Sequence, residues 1–309
     1  MGNDFYVITV FFNPAGFHSL LNNYFIFRDQ LRKQKVNLIT VECAFEDGPF
    51  YIPEGEGVYR LRSNSIMWQK ERLINYGVSQ LPDECKYYAW IDCDVLFPVD
   101  SWADMAVEKL QSANIIQLFK KVHYMPQGML QYDGSKMLSM QSVIWQYKIH
   151  KNWLSRRCRG ELPFSVPGFA WACRKDTFNN INGSDGIYDR NIVGSGDTFL
   201  VDCYLDSWDI HSFAKKFNVN MQKDLMSWCG GLKKKEIALD YLPLDIAHLW
   251  HGSLKNRKYT DRHDIILNHD YNPLLDIELR NNVYEWATPK HEMHSDIKQY
   301  FFDRHEDDQ

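Results

Sequence analysis

Two aspartates one residue apart, Asp92 and Asp94, follow an aromatic and apolar run that begins at Tyr87. Tyr87 to Ile91 has the length of a buried strand. Alternate residues of an extended chain face the same way, so both carboxylates can point into one site. Two ionised groups so close repel each other, and a divalent cation offsets that cost at a buried strand end; oxygen ligands suit Mg²⁺ or Mn²⁺. Farther along, His248 and His251 stand three apart in AHLWHG, after an apolar segment. Neutral imidazoles ligate divalent metals, and such a pair in a turn can converge on one ion. A basic run follows, with Lys255, Arg257, Lys258 and Arg262. A metal ion beside a cationic loop is what a diphosphate needs, the ion bridging phosphate oxygens and the basic groups neutralising the rest. Asp197 lies in GSGDTF. Its position favours a cap on the following helix, and it also suits a general base acting on a hydroxyl. Gly194 and Gly196 beside it let the backbone come close to a ligand.

These groups need a scaffold, and the hydrophobic pattern supplies one. Phe5 to Phe12 is a strong strand, ended by Asn13-Pro14 and Gly16. From His18 to Lys35, Leu20, Tyr24, Phe27 and Leu31 recur at helical spacing, and Val36 to Cys43 is a second strand. This β–α–β opening predicts a parallel sheet, whose carboxyl edge is where ligands bind. A short strand is expected near 58–62, a helix over 63–80, the Asp-x-Asp strand, a helix over 101–112 and a strand over 114–119. Residues 120–161, rich in Tyr, Trp, Met and Gln, read as a helix and loops over the sheet, where an acceptor would bind. The chain beyond 262 reads as helical, ending in a frayed acidic tail over 305–309. No repeats or linkers appear, so one α/β domain is expected.

At 309 residues the chain can bury a large core, and its net charge of −5 excludes a general nucleic-acid binder. Its seven cysteines are dispersed, without metal-type pairing, which points to reduced thiols. Neither a signal peptide nor a membrane span is visible, so the expected location is the cytoplasm.

Taken in order, the motifs resemble glycosyltransferases of the GT-A fold, most nearly the β-1,4-galactosyltransferase group and related viral and bacterial transferases. MWQKERLINYG is similar to that group's Asn-Arg-x-Lys-Leu-Leu-Asn helix, with Lys70 at the Arg position and Asn75 at the final Asn. Asp92-Cys93-Asp94 matches its Asp-Val-Asp. GFAWACRKDTFNNINGSDGIYDRNIVGSGD resembles its segment from acceptor floor to base, including the Ile-Asn-Gly at 181–183, and His248-Leu-Trp-His251 falls on its Met-x-x-His. The likeness runs from Phe5 to about Arg262. Two departures stand out: the family's acidic run is replaced by Gly194-Ser-Gly-Asp197, and its tryptophan-glycine lid is missing, so neither galactose nor GlcNAc carries over.

The resemblance implies a Rossmann-like, mixed but mostly parallel sheet flanked by helices, with a nucleotide-sugar-binding half over 1–119, an acceptor half over 120–262 and a helical extension over 263–309. It implies a nucleotide-sugar donor, with UDP favoured, a glycan acceptor, and Mn²⁺ or Mg²⁺ held by Asp94, His251 and His248. Asp197 is implied as base of an inverting transfer, with a retaining outcome open. Donor contacts are expected from Phe11, Asn13, Lys70, Asn75, Asp92, Lys255 and Arg257, and acceptor contacts from Trp171 and Gly196. Three rivals compete. A sugar-nucleotide pyrophosphorylase needs a Gly-rich basic loop after the first strand, where FFNPAGFHSL has one Gly and no Lys or Arg. A glycosidase needs its carboxylates farther apart than Asp92 and Asp94. A non-catalytic carbohydrate-binding module would need neither Asp197 nor the cationic loop.

Overall fold

A computed structural model describes residues 4–181, 185–210, 212–259 and 261–308. Asn182 and Gly183 of the Ile-Asn-Gly match lie outside the described residues. The first strand, β1 (Phe5–Phe11), runs into α1 (His18–Lys33) and returns as β2 (Asn37–Phe45), followed by β3 (Val58–Ser63), α2 (Lys70–Ser79) and β4 (Tyr87–Ile91). Then come β5 (Val95–Leu96), α3 (Trp102–Leu110), β6 (Ile115–Gln117), β7 (Lys121–Tyr124), β8 (Ser139–Ser142), α4 (Val143–Ile149) and α5 (Trp153–Cys158). The rest comprises β9 (Ser165–Val166), β10 (Ala170–Arg174), α6 (Gly196–Leu205), α7 (Ser212–Lys216), α8 (Val219–Lys233), β11 (Leu239–Tyr241), β12 (Asp245–His248), α9 (Arg262–Asn268), β13 (Ile277–Arg280), β14 (Val283–Trp286) and α10 (His291–Phe302).

Seven strands form the central sheet in the order β11-β6-β10-β4-β1-β2-β3. It is mixed and mostly parallel as expected, with β10 antiparallel to both neighbours. β4 is central and apolar, which is why its end can hold charges: the strand is anchored on both sides before Asp92 leaves it. Val7, Ala89 and Ala172 pack on one face, Ile8, Tyr88 and Trp90 on the other, the alternation that strand geometry dictates.

Three expectations need correction. The middle of the chain is not only helix and loop: β7, β8 and β9 join β5 and β12 in a second, five-stranded sheet. Its lateral pairings satisfy backbone groups that a loop over the sheet would leave open. The stretch beyond 262 is not all helix, because β13 and β14 form a hairpin. Asn281 and Asn282 both take positive φ, 49° and 68°, the backbone of a two-residue turn that asparagine tolerates. The acidic tail is not frayed: Glu306 is 1% exposed, and Asp307 accepts from the backbone N–H groups of His18 and Ser19 at the start of α1.

Candidate metal and transfer site

A pocket of about 500 Å³ opens where β1 and β4 end. The register of the second sheet assembles its floor. β5 pairs antiparallel with β12 so that His248 faces Val95, and Leu249 donates its N–H to the Asp94 carbonyl at 2.8 Å. Residues distant in sequence thereby become neighbours. Asp94 Oδ2 lies 2.8 Å from His251 Nε2, and Asp94 Oδ1 lies 3.6 Å from His248 Nε2. The two imidazole Nε2 atoms are 3.2 Å apart.

Asp94, His248 and His251 are all buried, and one ligand atom from each lies within 4.8 Å of the others. Asp94 Oδ1 has no hydrogen-bond partner among the described residues. Burial pushes His248 down to about 4, so its imidazole is neutral at pH 7, the form that ligates. Burial would raise Asp94, but the two histidines hold its carboxyl well below the usual range. Burial and Arg257 press His251 down, while the Glu306 and Asp94 carboxylates outweigh them and raise it. Three acceptor atoms on one point, one of them orphaned, fit a divalent cation bound by two nitrogens and an oxygen.

Glu306 stands behind this group. Its Oε2 lies 3.1 Å from His251 Nδ1, an arrangement that turns Nε2 toward Asp94. Arg304 pairs with the same carboxylate, which, against the upward push of burial, sits at about 2. The tail reaches this position because Gly252, at φ 77°, carries no side chain; a Cβ there would lie 2.8 Å from Glu306 Cα.

A second group of charges centres on Lys70, the first residue of α2. Its Nζ lies 2.6 Å from Asp92 Oδ1 and 3.1 Å from Asp197 Oδ2. Burial pushes Lys70 down, but Asp197 and Asp92 together keep it charged, well above the ordinary lysine range. Asp92 is raised to about 6, chiefly by burial, with Lys70 opposing and the neighbouring Asp94 adding to the rise. Asp197 sits in the first turn of α6, with Ser195 rather than Asp197 at the cap position. Its carboxylate faces the pocket and Lys70.

Several expected contacts fall elsewhere. Phe11 and Asn13 line the pocket, but both polar ends of the Asn13 amide are bonded to the Phe17 backbone. Asn75 does not line it: the side chain holds the backbone of Ile187 and the Asp189 carboxylate. Trp171 is fully buried, stacked on Trp90 at 6.2 Å, and donates to the Pro167 carbonyl, so it is core and no sugar platform. Lys255 is exposed and outside the pocket lining, whereas Arg257 is buried within it. Gly196 allows α6 to start against Glu71, where any Cβ would collide with that side chain. It is a packing glycine and does not line the pocket.

Sequence reasoning missed Glu71, Trp68, Arg304 and Glu306, all of which line the pocket. Burial raises Glu71 to about 7, with Lys70 opposing and Asp197 reinforcing, and its Oε2 accepts from Trp68 Nε1 at 3.1 Å. Its signal was its place beside Lys70 at a helix start.

No protein-family model matches the sequence, and no curated protein matches it either. Among solved structures the chain is similar to a mutant of Drosophila β1,4-galactosyltransferase 7 in complex with manganese, UDP-Gal and xylobiose, at 16% identity and a TM-score of 0.37. That match covers 66% of this chain and 62% of the other. It is also similar to 4-diphosphocytidyl-2C-methyl-D-erythritol synthase from Anaerococcus prevotii, at 11% identity, TM-score 0.34, covering 85% and 93% of the two chains. A putative nucleotide-diphospho-sugar transferase from Desulfovibrio desulfuricans matches at 9% identity, TM-score 0.35, covering 97% and 99%. Glycosyltransferases and nucleotidyltransferases thus both occur among these remote likenesses.

Proposed function

We propose that this protein is a metal-dependent glycosyltransferase that moves a sugar from a nucleotide-diphosphate sugar, UDP favoured, to a hydroxyl of a glycan. The observation that carries this reading is the placement of Asp94, His248 and His251 in the same pocket as Asp197. A metal site alone suits a binding module; a metal site beside a carboxylate on a helix start suits transfer. The loop after β1 supports transfer of the sugar rather than of the nucleotide, since residues 12–17 contain no Lys or Arg to grip a nucleoside triphosphate.

Asp94, His248 and His251 would hold Mn²⁺ or Mg²⁺, which when bound supplies Lewis-acid stabilisation to a departing diphosphate. Arg257, whose guanidinium lies 2.8 Å from His251 Nε2, turns to the phosphate oxygens and neutralises the charge that builds on them. Asp197 takes the proton of the acceptor hydroxyl as its oxygen attacks the anomeric carbon on the face opposite the diphosphate, which inverts that centre. Lys70 bridges Asp92 and Asp197, so an acceptor that occupies Asp197 leaves the lysine held by Asp92. Phe11, Phe12 and Phe169 line the pocket and exclude water that would hydrolyse the donor. The seven free cysteines support a reducing compartment such as the cytoplasm; among the described residues no helix is long and apolar enough to cross a membrane.

The test is nucleotide release from UDP-, GDP- and dTDP-sugars, with Mn²⁺ and with EDTA, for the wild type and Asp94→Ala. Release of one nucleotide that depends on metal and vanishes in the variant is expected. Binding of no nucleotide sugar in Mn²⁺ would overturn the reading in favour of a carbohydrate-binding module.

A further inference from the structure

The pocket has a charged wall that the donor accounts for only in part. Arg257, Arg262 and Arg304 all line it. Arg304 is neutralised by Glu306. Arg257 and Arg262 are 6% and 7% exposed, and among the described residues neither forms an ion pair with a carboxylate. Arg257 donates to the Tyr259 hydroxyl at 3.0 Å and toward His251. Arg262 donates to Ser195 Oγ at 2.7 Å and to the Tyr300 hydroxyl at 3.3 Å. None of these partners is a carboxylate, and among the described residues the Nε atoms of both arginines are buried without a hydrogen-bond partner.

A guanidinium cannot shed its proton to escape burial, and an uncompensated buried charge costs several kcal/mol. The nearby acids are already engaged. Glu306 serves Arg304 and His251, Asp197 serves Lys70, and Glu71, held by Trp68 and drawn down by Lys70 and Arg262, is still raised by burial to about 7, so it offsets Arg262 only in part at neutral pH. An anionic ligand would supply the counter-charge that these groups leave short.

The two arginines sit at different ends. Arg257 abuts the metal-binding histidine, the place of a diphosphate. Arg262 reaches Ser195, two residues before Asp197, and lies 5.9 Å from the ring of Trp68 and 5.3 Å from that of Tyr259. Arg304 approaches the same Trp68 ring at 5.5 Å. We propose that Arg262, with Ser195 and Trp68, forms a subsite for an oxyanion, carboxylate or phosphate, carried by the acceptor, so that the acceptor is an acidic glycan. This rests on the reading above, in which the Asp197 end of the pocket receives the acceptor. The guanidinium would grip the anion in place of Ser195, whose hydroxyl also pairs with His263 at 3.0 Å, and Trp68, stacked on Phe301 with Arg262 over its ring, would hold the guanidinium in position.

Inorganic phosphate and glucuronate are the probes, titrated calorimetrically into protein saturated with UDP and Mg²⁺. At least one is expected to bind the loaded protein, with affinity lowered at least tenfold in Arg262→Gln while UDP affinity stays within twofold. Arg262→Lys, which keeps the charge but loses the fork, is expected to fall between. Arg257→Gln should weaken UDP and spare the probe. Binding of glucuronate alone assigns a carboxylate, and of phosphate alone a phosphate. The proposal is overturned if neither probe binds, if UDP and Mg²⁺ displace the probe, or if Arg262→Gln binds it like the wild type. Should UDP not bind at all, the transferase reading fails by itself, and the same probes on unloaded wild type and Arg262→Gln still decide whether the anion subsite exists.

Discussion

The two sides of the pocket are built from different parts of the chain and by different means. The acidic side, with Asp92, Asp94 and Asp197, comes from strand ends and a helix start, and each carboxylate already has a positive or protonatable partner. The basic side, with Arg257, Arg262 and Arg304, comes from the segment that follows β12, and among the described residues two of its three guanidiniums donate to hydroxyls and an imidazole and to no carboxylate. On the acidic side the charges largely offset one another within the protein, apart from the unpartnered Asp94 Oδ1, while on the basic side two guanidiniums lack a carboxylate among the described residues. On the proposed reading, reactivity belongs to the sheet and recognition of ligand charge to the later segment.

Mutations can break each side separately. Asp197→Asn is expected to lower kcat by about 10²–10⁴ while leaving donor affinity intact, measured as transfer to an acceptor beside nucleotide binding. An unchanged kcat would remove the base from the acidic side. Glu306→Gln joins the two sides, since it loosens both His251 and Arg304. It should weaken Mn²⁺ binding by about 10–100-fold, read by calorimetry, and equal affinity would make the tail mere packing.

Glu71 sharpens the contrast through pH. Its folded carboxyl lies at about 7 against an ordinary 4.5, so the folded state binds a proton the unfolded chain releases. That contribution to stability is present below pH 4.5 and is lost as pH rises to 7. Glu71→Gln should flatten the profile, adding up to about 2–3 kcal/mol at pH 8 and nothing at pH 4, by denaturant unfolding. A constant offset at all pH values would mean that Glu71 is charged throughout. The smallest effect is expected from Lys255→Ala, less than about twofold in donor KM, because an exposed amine outside the pocket is screened by solvent.

The same division explains what was legible in the sequence. β1, α1, β2 and β4 announce themselves through local periodicity, and Asp94, His248 and His251 through residue type at a strand end. Trp171 misled because a tryptophan in a candidate acceptor segment reads alike whether it faces a sugar or Trp90; the pairing of β10 with β4 decides it. Asn75 misled in the same way, its side chain being spent on a loop far along the chain. Glu306 was illegible because a run of charges near a chain end has the composition of a solvated tail. Its burial follows from a contact across 55 residues and from the room left by Gly252. The hairpin at 277–286 did leave a trace in Asn281-Asn282, a turn signal overlooked among helical patterns.

The contact between His251 and Glu306 also has a consequence for the order of events in synthesis. A chain emerges from the ribosome N-terminus first, and the strands that carry Asp92 and Asp94 can pair long before residue 306 is made. His251 gains its orienting carboxylate, and α1 the Asp307 bonds at its first turn, only once residues 304–308 have folded back. The orientation of His251 is thus completed after the sheet that carries Asp92 and Asp94, and the folding of residues 304–308 sets when that imidazole is fixed.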